Sequence, residues 1–139
     1  MPEGRTLVPG EARGPALVLS EPLSFWGGLD PATGAIIDAH HPQLGAVVTG
    51  TVLVMPGGRG SSSSSSVLAE AIRAGTAPAA IVLAEPDAII ALGALVAREL
   101  YGASIPIIEL DTNDLLTGTE ISVSAGEDGA QVTPATTPD

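Results

Sequence analysis

The sequence predicts an α/β domain, with a mixed sheet or a partly closed barrel on one side and helices on the other. Three observations lead there. Residues 51–55 are an apolar run without alternation, the pattern of a strand buried on both faces, and residues 80–83 and 105–110 read as further strands. Residues 63–74 and 88–100 lie between these runs and carry apolar side chains at helical spacing, giving a β-α-β-α-β order. Residues 120–124 and 130–133 alternate apolar with polar about Glu127-Asp128-Gly129, which reads as a hairpin.

The elements follow in order. Residues 1–14 are rich in Gly, Pro and charge and read as a flexible arm. The domain proper spans 15–133 and opens on a strand at Pro15-Ala16-Leu17-Val18-Leu19. Residues 21–34, EPLSFWGGLDPATG, are dense in Gly and Pro and hold Phe25 and Trp26. Ala35-Ile36-Ile37-Asp38 reads as a short strand, and His40-His41-Pro42 turns the chain in solvent. Thr51-Val52-Leu53-Val54-Met55 is the third strand, followed by a loop at 56–60. In the helix at 63–74, Val67, Leu68, Ala71 and Ile72 form the apolar stripe and Gly75 is the stop. Asp87 caps the helix at 88–100 and Gly102 closes it. Asp111-Thr112-Asn113-Asp114 could cap a short turn, and the tail at 134–139 is expected to be disordered.

Composition narrows the function classes. The chain has 139 residues, enough for one domain. Phe25, Trp26 and Tyr101 are its aromatics, so the core must be built from Ala, Val, Ile and Leu. Its net charge of −11, with five Lys plus Arg, argues against nucleic acid and against anionic membranes. It has no cysteine, which excludes disulfides and thiolate metal ligands from this chain. The N-terminus shows no apolar signal core and no apolar run is long enough to span a bilayer, so a soluble, cytoplasmic protein is expected.

The stretch that carries chemistry is Pro56-Gly57-Gly58-Arg59-Gly60, followed by six serines, Ser61 to Ser66. A strand ends before it and a helix begins within it. Glycines let backbone approach a ligand closely. The first N–H groups of a helix have no internal partner, and the macrodipole makes that end positive, so an anion is favoured there. Arg59 adds a planar fork suited to carboxylate or phosphate. A serine hydroxyl facing such positive groups becomes a plausible base, because its alkoxide is stabilised. The plainer reading is a Gly/Ser linker with one capping serine. Against that, the loop interrupts a β-α unit, and it is neither a dinucleotide fingerprint nor a Walker loop.

These residues resemble a known family. Gly58-Arg59-Gly60-Ser61-Ser62 after a strand and before a helix is similar to the GxGSS loop of the aconitase swivel domain. The LSFWGGLDPATGAIIDAHHP stretch at 23–42 and PGGRGSSSSS at 56–65 together resemble the small subunit of the aconitase X group, over about residues 16–123. The resemblance implies a swivelling β/β/α fold. It implies one half of a dehydratase (a hydro-lyase), inactive without a cysteine-containing large subunit that carries an iron or iron–sulfur centre, with no cofactor on this chain. It implies Ser61 as the base that removes the proton alpha to a small carboxylate substrate. Gly58, Arg59, Gly60, Ser62 and Ser63 would hold that anion. The group divides between cis-3-hydroxy-L-proline dehydratases and phosphomevalonate dehydratases, and the GRGSSSSS form looks like the former, giving Δ1-pyrroline-2-carboxylate. A non-catalytic anion-binding module and a purely structural subunit are the competing readings.

Other residues carry weaker signals. Phe25, Trp26, Gly27, Gly28 and Asp30 are expected at the cleft or partner interface, or as a plug of the barrel end. For Asp30 a turn-capping role competes with contact to a substrate amine. His40 and His41 could ligate metal, but a solvated turn is the better reading. Glu70 and Arg73 are spaced as a surface ion pair. Asp111, Asn113 and Asp114 suit capping better than cation binding.

Overall fold

The computed structural model describes residues 3–58 and 63–134. The strands are β1 (Glu3–Val8), β2 (Gly10–Val18), β3 (Val52–Met55), β4 (Ala80–Leu83), β5 (Ile107–Glu109), β6 (Glu120–Gly126) and β7 (Gly129–Pro134). The helical elements are α1 (Phe25–Gly28), a single turn kinked at Trp26 and Gly27, α2 (Ser64–Ala74) and α3 (Ala88–Tyr101). The strands close into a barrel in the order β1-β5-β4-β3-β2-β6-β7, with β1 pairing β7. β2, β3, β4 and β5 run parallel, whereas β6, β7 and β1 join antiparallel.

The period-2 geometry of a strand sorts the apolar runs into two cores. Val52, Val54, Ala80, Val82 and Ile108 face the barrel interior, with Ile121, Val123, Ala130 and Val132 of the hairpin. Leu53, Met55, Ile81, Leu83 and Ile107 face outward and pack beneath Leu68, Ala71 and Ile72 of α2 and Ile90, Ala94 and Ala97 of α3. Both faces are buried, so these runs need no polar positions. The interior takes mostly Ala, Val and Ile because a small barrel is filled by its own side chains, which accounts for the scarcity of aromatics. The two helices lie close at Gly93, where a Cβ would stand 2.7 Å from the Ser65 carbonyl oxygen and 3.1 Å from Leu68 Cβ.

Both helix stops are as expected: Gly75 and Gly102 adopt φ of 79° and 70°. Asp87 caps α3, its Oδ1 accepting from the Ile89 and Ile90 N–H groups at 2.8 and 3.1 Å. The β6–β7 hairpin also forms, in register from Ile121–Pro134 to Gly126–Gly129.

Three expectations are corrected. The flexible arm at 1–14 is strand over its described part: β1 fills the gap between β5 and β7, and β2 begins at Gly10. Arg5, Glu11 and Arg13 are exposed, and Arg5 and Arg13 pair with Glu109 and Glu120 at 3.2 and 3.7 Å. Its glycines answer to close packing, since a Cβ at Gly4 or Gly14 would overlap the carbonyl oxygen of Glu109 or Gly50. The partners of β1 lie far along the chain, as in Arg5 with Glu109 and Glu3 with Gln131, so no local pattern announces the pairing. The strand expected at 35–38 reduces to isolated bridges, Leu29 with Ile36 and Ala35 with Val47. His41 is not solvated: it is buried, its Nδ1 accepts from the Gln43 N–H at 3.0 Å, and Nε2 lies 3.2 Å from the Glu21 carbonyl oxygen. His40 is exposed. In the tail, Pro134 ends β7, and 135–139 lie outside the described residues.

Candidate functional site

Parallel neighbours put the C-terminal ends of β3 and β4 at the same end of the barrel, and the N-termini of α2 and α3 start from there. Ligands of parallel α/β sheets bind outside these carboxyl ends. The segment leaving β3 is Pro56-Gly57-Gly58, held to the segment leaving β4 by the Glu85 N–H donating to the Pro56 carbonyl at 3.0 Å. Arg59, Gly60, Ser61 and Ser62, expected to bind and react, lie outside the described residues. Ser63 stands at the N-cap of α2, and the Ser66 and Val67 N–H groups donate to its carbonyl at 3.1 and 3.2 Å.

The first turn of α2 has no acidic residue, so nothing on the helix itself competes with an anion for the positive end of its dipole. Gly58 is required by packing. A Cβ there would overlap Asp87 Oδ2 and come within 2.9 Å of Ile90 Cδ1.

The SFWGG stretch is joined to this loop. Leu23 forms a parallel bridge with Gly58, and the Trp26 N–H donates to Ser64 Oγ at 3.1 Å. Phe25, expected with Trp26 at the cleft or as a plug of the barrel end, is 1% exposed and belongs to the outer core beneath the helices, where it anchors the turn from below. Trp26 is 59% exposed. Gly27 takes φ of 76°, a conformation glycine adopts without strain, and this turns the chain after Trp26. Gly28 is buried, its Cβ position 3.0 Å from Leu23 Cδ1. Asp30 caps a turn, its Oδ1 accepting from the Ala32 N–H at 2.9 Å. Sequence reasoning missed three contacts here: Ser64 with Trp26, Gly58 with Leu23, and Gly58 with Asp87. Nothing local distinguishes Ser64 from its five serine neighbours; among the described ones, Ser63 to Ser66, it is the buried one.

Elsewhere the chemistry is modest. Arg73 pairs with Glu70 on the exposed face of α2, and that hydrogen bond lowers the Glu70 pKa and raises that of Arg73. Asp111 Oδ1 accepts from the Asn113 N–H at 2.9 Å, a capping contact. Among the described residues no group of three or more His, Asp or Glu could hold a metal, and no helix is long and apolar enough to cross a membrane. A half-open cavity of about 590 Å³ lies elsewhere, between Ala16, Leu115, Ile121 and Val132, with Asp114 as its charged residue. An apolar hollow edged by a carboxylate does not suit an anion.

The comparisons with known proteins bear on the whole chain. The aconitase X swivel domain model matches residues 1–132. A phosphomevalonate dehydratase small subunit of Methanothermobacter thermautotrophicus is 42% identical over 127 residues, 88% of this chain and 92% of that one. A cis-3-hydroxy-L-proline dehydratase of Pseudomonas aeruginosa is 57% identical over 103 residues, 74% of this chain but 18% of that protein. One of Hypocrea jecorina is 40% identical over 127 residues, 89% of this chain and 21% of the relative. The chain thus spans about a fifth of the length of the two hydroxyproline enzymes. The crystal structure of Thermococcus kodakaraensis aconitase X, in its holo-form, superposes with a TM-score of 0.85 at 34% identity, covering 95% of this chain and 97% of that one. With the barrel and its two flanking helices in place, the chain belongs to the aconitase X swivel-domain family.

Proposed function

We propose that this chain is the small subunit of an aconitase X-type hydro-lyase that dehydrates cis-3-hydroxy-L-proline to Δ1-pyrroline-2-carboxylate. The observation that carries the reading is the serine loop's setting: it follows the carboxyl end of β3, enters an α2 terminus free of acidic residues, and is tied at both flanks to the SFWGG turn. The 57% identity to the Pseudomonas enzyme supports the hydroxyproline substrate over the phosphorylated one.

In this reading Ser61 removes the proton from the carbon alpha to the carboxylate. The 3-hydroxyl leaves from the adjacent carbon, one water is lost, and the resulting enamine tautomerises to the imine. Negative charge grows on the substrate carboxylate as the proton departs. Arg59, the glycine backbone of Gly58 and Gly60, and the N–H groups around Ser62 and Ser63 supply the opposite polarity for it. The same polarity lowers the cost of a serine alkoxide. An iron or iron–sulfur centre would have no ligand set here: the sequence lacks cysteine, and the described residues offer no three-member group. Such a centre, and assistance to the departing hydroxyl, would belong to a cysteine-containing large subunit. The exposed Trp26 beside the loop suits the cleft facing that subunit, and a cytoplasmic setting goes with the reading.

The test is reconstitution. The chain alone should be inactive, and with its large subunit it should consume cis-3-hydroxy-L-proline. Ser61→Ala should then lower kcat by about three orders of magnitude or more, as loss of a general base does within an assembled site, without shifting the melting temperature. A fully active Ser61→Ala complex would overturn the assignment. The alternative, a phosphomevalonate dehydratase small subunit, is favoured by the near end-to-end match to the Methanothermobacter chain. It would be chosen by turnover of (R)-5-phosphomevalonate in the same assay. Tight anion binding by the chain alone, with no turnover in any complex, would instead favour a non-catalytic module.

A further inference from the structure

We infer that Ser64 and the Leu23–Trp26 segment form a two-point clamp that positions the serine loop, with Ser64 a positioning residue rather than a substrate ligand. The inference rests on the proposed role of Ser61 for its catalytic consequence, but on geometry for the clamp itself.

The two flanks of residues 59–62 are held by one short segment. On the strand side, Gly58 bridges Leu23. On the helix side, Ser64 Oγ accepts the Trp26 N–H at 3.1 Å across 38 residues of sequence. The clamp has a rigid foundation. Leu23 and Phe25 are each 1% exposed and belong to the outer core beneath the helices. Ser24 Oγ donates to the Trp26 carbonyl at 3.2 Å and stiffens the turn. A turn anchored in the core at both Leu23 and Phe25 is fixed, so Gly58 and Ser64, which it holds, are fixed with it.

Ser64 is 4% exposed, and with His41 it is one of the two buried polar or charged residues among those described. Its hydroxyl is committed to a backbone amide and is turned away from solvent. That is the environment of a strut, not of a group that meets substrate. Without Ser64 Oγ, the Trp26 amide loses its partner at a part-buried place, and burial of an unpaired donor is costly enough to move the turn. Small displacements of a base are expensive in rate, since proton transfer needs heavy atoms within hydrogen-bond reach.

The experiment compares wild type and Ser64→Ala by two readouts. Amide hydrogen exchange, followed by NMR on the chain, should show the Trp26 N–H exchanging at least tenfold faster in the variant, while amides of β3 and β4 keep their protection. In the complex with the large subunit, kcat should fall about tenfold with KM changed less than threefold, and Ser64→Thr, which keeps the hydroxyl, should recover kcat at least in part. Loss of β3 and β4 protection in Ser64→Ala would mean that Ser64 supports the fold at large and would overturn the clamp. Unchanged Trp26 exchange would overturn it too, as would faster exchange with unaltered kcat. A rise in KM alone would make Ser64 a substrate ligand and overturn its assignment as a strut. A wild-type complex that dehydrates neither substrate would overturn the proposed function instead, and the exchange data would still decide whether the clamp exists.

Discussion

Gly58→Ala should be among the most damaging methyl additions outside the core, and its cost should depend on Asp87. A Cβ at 58 overlaps Asp87 Oδ2 and lies 2.8 Å from Asp87 Cγ and 2.9 Å from Ile90 Cδ1. A free carboxylate would swing aside. This one cannot, because Oδ1 is holding the Ile89 and Ile90 N–H groups at 2.8 and 3.1 Å, and rotation of the carboxylate moves both oxygens. Relief therefore means losing the cap, at about 1 kcal/mol, and repacking Ile90, which is 2% exposed, at about 1–2 kcal/mol. The sum is about 2–3 kcal/mol. For a domain of this length each kcal/mol moves Tm by roughly 3–4 °C, so the melt should fall by about 6–12 °C.

The double-mutant cycle isolates the cause. Asp87→Ala alone should cost about 1 kcal/mol. Added to Gly58→Ala it removes the obstructing carboxylate, and the double variant should be more stable than the sum of the singles by about 1 kcal/mol or more. Urea unfolding monitored by far-ultraviolet dichroism reads all four proteins. Simple additivity within about 0.3 kcal/mol would refute the reasoning, because it would mean that the new methyl and Asp87 do not meet.

His41→Ala should cost about 2 kcal/mol, because a buried ring leaves the Gln43 N–H and the Glu21 carbonyl without partners; His40→Ala, at an exposed position, should stay within about 0.5 kcal/mol, and chemical denaturation separates the two. The Arg73 hydrogen bond lowers the Glu70 pKa, so that pair contributes stability above the unfolded carboxylate range and loses it as pH falls through the folded value. The gap in Tm between wild type and Glu70→Gln should therefore be widest near neutral pH and close in acid, and it should narrow with added salt because both side chains are exposed. Asp87→Asn keeps a good cap but removes a negative charge beside Gly58; KM for the carboxylate substrate should fall severalfold in steady-state assays of the complex.

What was legible in the sequence was whatever depends on neighbours along the chain. The stripe of Val67, Leu68, Ala71 and Ile72, the Asp87 cap and the Gly75 and Gly102 stops are local physics, and α2 and α3 lie where those signals put them. The double burial of β3 was legible too, since only strands covered on both faces can omit polar positions. What could not be read was closure. β1 looks like an arm because its charges are real and its pairing partners, β5 and β7, lie at the other end of the chain. Phe25 and Trp26 are adjacent and equally apolar in sequence, yet a kinked turn sends one into the core and leaves the other in solvent. The site was legible as two motifs but not as one object: the link between them is a backbone amide and a serine that looks like its neighbours.

Net charge makes Asp87→Asn informative beyond its size. A chain of net charge −11 repels a carboxylate, so its affinity for one must be local. Among the described arginines, Arg5, Arg13 and Arg73 are paired with glutamates, and Arg98 sits in the last turn of α3 at the negative end of that dipole. On the proposed reading, anion affinity at the serine loop comes from Arg59, backbone N–H groups and the α2 terminus, working against the carboxylate that caps the neighbouring helix. A nearby unit charge in a largely aqueous setting opposes binding by roughly 0.5–1 kcal/mol, a factor of about two to five in affinity. Asn caps nearly as well as Asp, so only the few tenths of a kcal/mol from the α3 dipole should be lost in stability. Affinity and stability should therefore move in opposite directions. If KM is unchanged, the substrate carboxylate does not sit beside Gly58, and the anion-site reading of the loop fails even though the fold stands.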